Sequence, residues 1–163
     1  MQIKPIISDT SCFIALSNIG ELTLLRLLYG EITTTPDIAL EFGEPLPDWV
    51  KIVAVSDKTK QQLLETQIGK GEASAIALAL ETENPLLILD DYKARKLADN
   101  LKLNHTGTIG VILAAKHKGI VPSVEPLLRK IKQTNFRISP ELEQQVLIEA
   151  KETAFTSKTA SLS

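Results

Sequence analysis

The stretch LLILDDYKARKLADN, residues 86–100, decides the fold. Four apolar residues, Leu86 to Leu89, run without interruption into two carboxylates, Asp90 and Asp91. A short apolar run of this kind is the pattern of a strand buried on both faces. The text that follows, from Tyr92 on, is helical and carries Lys93, Arg95 and Lys96.

The rest of the chain repeats that alternation. IKPIIS, residues 3–8, reads as a short buried strand that ends at Asp9, with Pro5 tolerated near its start. SCFIALSNIG and ELTLLRLLYG place apolar residues at three and four spacing, and each closes on a glycine, Gly20 and Gly30. EITTT is strand-like by its threonines, and PDIALEFG opens a helix on Pro36 with Glu41 near its end. VKIVAV alternates as a half-exposed strand does, and a helix is predicted over about 57–67. GEASAIALALETE, residues 71–83, is a helix apolar nearly all round, so it must be buried. HTGTIGVILAAKHKG, residues 105–119, reads as a turn and a helix. Two C-terminal helices, SVEPLLRKIKQTN and SPELEQQVLIEAKE, follow, joined by the FRI segment.

Strands that alternate with helices argue a parallel sheet covered on both faces, an α/β fold. With 163 residues and 44% hydrophobic content, the chain is long enough for one compact core. A single domain is expected over residues 1–155, and the polar tail over 156–163 is expected to be disordered.

Composition narrows the function. Net charge is −2, from 18 basic and 20 acidic residues, so simple electrostatic wrapping of nucleic acid is not supported. No apolar run approaches the roughly 20 residues that span a bilayer, and no signal-peptide pattern opens the chain. A cytoplasmic protein with no membrane partner is expected. Cys12 is the only cysteine and lies among apolar residues, so neither a disulfide nor a thiolate zinc site can be built. His105 and His117 show no metal-ligand spacing.

In parallel α/β sheets, ligands gather outside the carboxyl ends of the strands. Asp9 ends the first strand, and Asp90 and Asp91 end the one expected at the centre. If the two strands are adjacent, their carboxylates meet at one edge and repel, an arrangement that makes sense around a cation. Oxygen-only donors favour Mg²⁺ or Mn²⁺ over zinc. Glu41, and Glu72 on the first turn of the buried helix, fit the same picture. Each residue also has a plainer role: one of Asp90 and Asp91 as a helix cap, Glu72 as a dipole partner, Glu41, Lys93, Arg95 and Lys96 as solvated helix face. Thr106 or Thr108 can cap the helix after the HTGTIG turn, whose amides can otherwise face an anion.

The order of SDTSCFIALSNIG, PDIALEFG, GKGEASAIALALE, LLILDDYKARKLA and HTGTIGVILAAKHKGIV resembles the PIN domain family, in its PIN-like branch related to toxin ribonucleases. The resemblance runs from about residue 3 to 148. It implies a three-layer α/β/α sandwich with a mainly parallel sheet and a divalent-metal-dependent endoribonuclease activity. It also implies an RNA substrate, a small antitoxin-like protein partner and self-association. By motif, Asp9, Glu41, Glu72 and Asp91 would be the catalytic acids, and Asp9, Glu72, Asp90 and Asp91 the candidate metal ligands. Thr10 and Ser11 would support the first Asp, or cap its helix. Lys93, Arg95 and Lys96 would meet the RNA backbone. Two features depart from the commonest toxins: a glutamate at 72 where they carry aspartate, and the Asp90–Asp91 pair, which leaves the fourth ligand open between neighbours. Two other functions fit the pattern less well. A catalytically silent PIN-like binding module would not need four acids, and a receiver-like phosphoacceptor would place its acidic pair after the first strand.

Overall fold

The computed structural model describes residues 4–152; the predicted tail and the start of the first predicted strand, at Ile3, lie outside them. Five strands form one sheet in the order β3-β2-β1-β4-β5: β1 (Ile6–Ser8), β2 (Ile32–Thr34), β3 (Val50–Ile52), β4 (Leu86–Ile88) and β5 (Asn104–Thr106). Every pairing is parallel, and Ser8 faces Ile88 across the β1–β4 seam. Parallel neighbours need crossovers, and helices supply them: α1 (Thr10–Asn18), α2 (Thr23–Tyr29), α3 (Pro36–Phe42), α4 (Lys58–Leu64), α5 (Lys70–Leu80), α6 (Tyr92–Asn100), α7 (Thr108–His117), α8 (Glu125–Lys132) and α9 (Pro140–Glu149). The result is the three-layer α/β/α sandwich that the alternation implies.

Two readings are corrected. The strand at the centre is β1, with β4 beside it. The text before Gly107 forms a fifth strand, β5, which carries His105 on the sheet edge. Its sequence, Asn-His-Thr, has no apolar side chain to announce it. An edge strand half open to solvent needs none.

The core explains the apolar runs. Ile7, Leu87, Ile88 and Leu89 are fully buried, as are Phe13, Leu16, Ile76 and Ile112; each large aliphatic side chain so buried contributes roughly 1.5–3 kcal/mol. The alanines of α5 let it lie close against α3, α4 and α6 and under β1 and β4. Cys12, fully buried, has its thiol pushed well up by burial, then by Asp9, which removes it as a nucleophile. At the far end, Glu152 accepts the backbone N–H groups of Val124 at 2.6 Å and Glu125 at 3.0 Å and the ammonium of Lys116 at 2.9 Å, joining the end of α9 to α7 and the start of α8. No single helix among the described residues is long and apolar enough to cross a membrane. The pair α1 and α2 passes that test only when joined, and it is bent by 117°.

Candidate metal and nuclease site

The strand order sets the place. The chain runs outward from β1 through β2 to β3, then returns to the other side of β1 to lay down β4 and β5. The reversal falls between β1 and β4, and a crevice opens at such a point outside the carboxyl ends of the strands. Asp9 and Asp90 stand there, each within two residues of its strand's last residue.

Asp9 is 2% exposed. Its Oδ1 accepts the N–H of Cys12 at 3.0 Å, capping α1, and its Oδ2 accepts the N–H of Asp90 at 3.0 Å. The cap of α1 is therefore Asp9, and neither Thr10 nor Ser11. Burial, and then the charge of Asp90, push the Asp9 carboxyl up to about 8, against the lowering effect of its two backbone hydrogen bonds; Glu72 adds a smaller push upward.

Asp90 and Asp91 divide two roles. Asp91 accepts the N–H of Ala94 at 3.0 Å and caps α6. Asp90 is gripped from the sheet edge: Thr108 gives its backbone N–H to Oδ1 at 2.8 Å and its hydroxyl to Oδ2 at 2.5 Å. The cap of α7 is Gly107, without a side-chain bond, so the hydroxyl of Thr108 is spent on Asp90 and not on its own helix. A Cβ at Gly107 would stand 2.9 Å from Asp90 Oδ1 and 2.9 Å from Arg95 Nη1, so only a glycine admits both groups there.

The glutamates arrive from α3 and α5. Thr35 caps α3 through Ile38 and shares a 2.6 Å hydrogen bond with Ser74, whose hydroxyl donates to Gly71 O at 2.7 Å, so the two helices are pinned together by buried hydroxyls. Thr10 donates to Glu41 Oε1 at 2.5 Å. The Glu41 carboxylate lies where a Cβ of Gly71 would be, one residue from Glu72. The Glu72 carboxyl is raised by burial first, and by Asp91 and Glu41, although its own backbone N–H lowers it. No role for Ser11 is visible in its hydrogen bonding. Lys93 and Lys96 are exposed on α6, while Arg95, half-buried, turns to Gly107. His105 pairs with Asp99 at 2.6 Å and lines a pocket shared with Asp90, Arg95 and Lys96.

These acids thus share one electrostatic neighbourhood, and among the described residues no ion pair includes any of them. Carboxylates that raise one another's pKa and form no ion pair are in kind the donor set of a hard divalent cation. The backbone bonds to Asp9 and the bonds to Asp90 leave lone pairs free, since a carboxylate offers about four acceptor sites. Even so, among the described residues no three His, Cys, Asp or Glu side chains are gathered closely enough to hold an ion as they stand.

Sequence reasoning missed three elements: Thr108 as the partner of Asp90, and Gly71 and Gly107 as the spaces that carboxylates fill. The glycines of GKGE and HTGT were visible signals of close approach.

A wholly parallel α/β/α sandwich with acids at its switch point places the candidate site where such folds bind their ligands. The chain belongs to the PIN domain family: the family model DUF3368, PIN domain, matches residues 5–152. No curated protein and no solved structure matches it.

Proposed function

We propose that this PIN domain is a divalent-metal-dependent endoribonuclease, a hydrolase of RNA phosphodiester bonds acting as the toxin of a toxin–antitoxin pair. The observation that carries the reading is Asp9: a carboxylate buried at the β1–β4 switch point, bonded to the backbone of Asp90, and in no ion pair among the described residues. Asp9, Glu72, Asp90 and Asp91 would hold Mg²⁺ or Mn²⁺, with Asp9, Glu41, Glu72 and Asp91 as the catalytic acids. Such an ion, when bound, supplies a nucleophilic water at neutral pH and offsets charge on the phosphate.

The chain's own residues prepare the site. Thr108 fixes Asp90 and Thr10 fixes Glu41, so neither carboxylate must be ordered when substrate arrives. Lys93, Arg95 and Lys96 face the RNA backbone from α6. The single-domain organisation over 1–155 and a cytoplasmic location belong to the same reading. An antitoxin-like protein partner and self-association belong to it as well.

A second reading, a silent PIN-like binding module, is favoured by the absence of a ready three-ligand group among the described residues. The two separate on one assay. Purified protein is incubated with RNA and Mn²⁺. Cleavage that chelator and Asp9→Asn both abolish supports the nuclease; RNA binding without cleavage supports the silent module.

A further inference from the structure

Beside the acids, a cleft of ≈ 300 Å³ opens between the turn into α7, α6 and the segment leading into α9. Asp90 forms part of its lining, so the cleft and the acidic site are continuous. Arg95 reaches it from α6 and Arg137 from the segment before α9, and neither arginine takes part in an ion pair among the described residues. Phe136, half-buried, lines it next to Arg137. Glu149, whose carboxylate accepts from Gln145 at 3.3 Å, lines it from α9.

Two unpaired guanidinium groups in one cleft are a site for phosphate, whose oxygens they bind in a planar, two-pronged fashion. An aromatic ring beside them is a stacking platform, since every base has a π-face. The volume stands at the small end of ligand pockets, which run from about 300 to 1,000 Å³, enough for one nucleotide and far too little for a duplex. Glu149 repels a phosphate, which leaves its part of the cleft to a base whose amino group a carboxylate can accept.

We propose that this cleft seats one unpaired nucleotide of single-stranded RNA beside the acidic site, its phosphate held by Arg95 and Arg137 and its base against Phe136. The choice of RNA rests on the ribonuclease reading above. An acidic peptide would satisfy the arginines but offers no flat face to the exposed part of the Phe136 ring.

Fluorescence anisotropy with a short, unstructured, labelled RNA in EDTA tests the seat without cleavage. Arg137 is exposed, so Arg137→Ala leaves the fold intact, and Phe136→Leu keeps the apolar volume while removing the ring. Arg137→Ala should weaken binding about tenfold and make the plot of log affinity against log salt shallower by about 0.7. Phe136→Leu should weaken it about tenfold with the slope unchanged. Wild-type protein that fails to bind the RNA, or variants that bind it equally well, would overturn the proposal. So would a polyglutamate peptide that binds more tightly than the RNA and depends on Arg137. Cleavage is read separately with Mn²⁺. Protein that binds with this dependence and does not cleave overturns the nuclease reading alone; protein that cleaves with KM unchanged in both variants overturns the nucleotide seat alone.

Discussion

Asp9 Oδ2 accepts the backbone N–H of Asp90 at 3.0 Å, while Oδ1 of the same carboxylate caps α1. One buried side chain therefore joins the ends of the two strands that flank the switch point and also anchors a helix. That double duty makes Asp9→Asn a two-signed substitution. Asparagine keeps the cap. Its amide, however, turns a donor toward the Asp90 N–H and forfeits that bond, at a cost of about 1–3 kcal/mol.

The sign then depends on pH. The Asp9 carboxyl is raised from 3.8 to about 8, so in that window the native state binds more protons than the unfolded chain, and wild-type stability falls as pH rises through it. Asp9→Asn removes the titration. In EDTA the variant should melt below wild type at pH 5 and close or reverse the gap by pH 8–9. Parallel melting curves for the two proteins across this range would mean that Asp9 carries no buried charge.

Divalent ions should relieve the same repulsion. At about ten times its dissociation constant, Mg²⁺ or Mn²⁺ should stabilise the fold by about 1.4 kcal/mol, and more clearly at pH 8 than at pH 5, where protons compete for Asp9. Thermal shift with Asp90→Asn and Asp91→Asn assigns the neighbours. Asp91→Asn retains the α6 cap, so a lost metal response there reports on ligation and not on folding. A response kept intact in both variants places the ion elsewhere.

Thr108 is fully buried and spends its hydroxyl on Asp90. Thr108→Val keeps the shape and the backbone N–H bond and should cost about 1 kcal/mol of stability, yet lower metal affinity or RNA cleavage about 10- to 100-fold. Thr108→Ser should restore most of it. Equal activity in all three would reduce Thr108 to a packing residue.

Gly71 is a space as much as a residue. Gly71→Ala places a methyl group on the Glu41 carboxylate, which sits at the free end of a flexible side chain and can swing away. The fold should therefore survive with little loss, since alanine also favours the helix by about 1 kcal/mol over glycine, while Glu41 leaves Thr10 and Glu72. Cleavage that falls in Gly71→Ala as far as in Glu41→Gln, measured side by side, would place Glu41 among the working acids.

How much of this the sequence displayed varies with the physics. LLIL was legible because a strand buried on both faces has no polar residue to blur it, and α5 because an all-round apolar helix has only one place to go. Asn104–Thr106 was not, because an edge strand is made by backbone bonds to β4 and owes nothing to its side chains. Asp9, Glu41, Glu72, Asp90 and Asp91 could be marked as candidates from their positions in the text. The split between Asp90, held by Thr108, and Asp91, spent on a cap, could not, since both residues are chemically identical and adjacent. Only the turn geometry around Gly107 separates them.

Glu152 gives the fold a latch. Its carboxyl is held below the ordinary value: burial pushes it up, but hydrogen bonds from Lys116, Val124 and Glu125 outweigh that. A lowered folded value means stability present above about 4.5 and lost as pH falls through it. In amide-exchange terms, the end of α9 and the first turn of α8 should lose protection together as this one carboxylate is protonated. Because α9 walls the cleft beside Asp90, acid below about 4.5 should loosen the rim of the site while β1 and β4 still hold the acids at their ends.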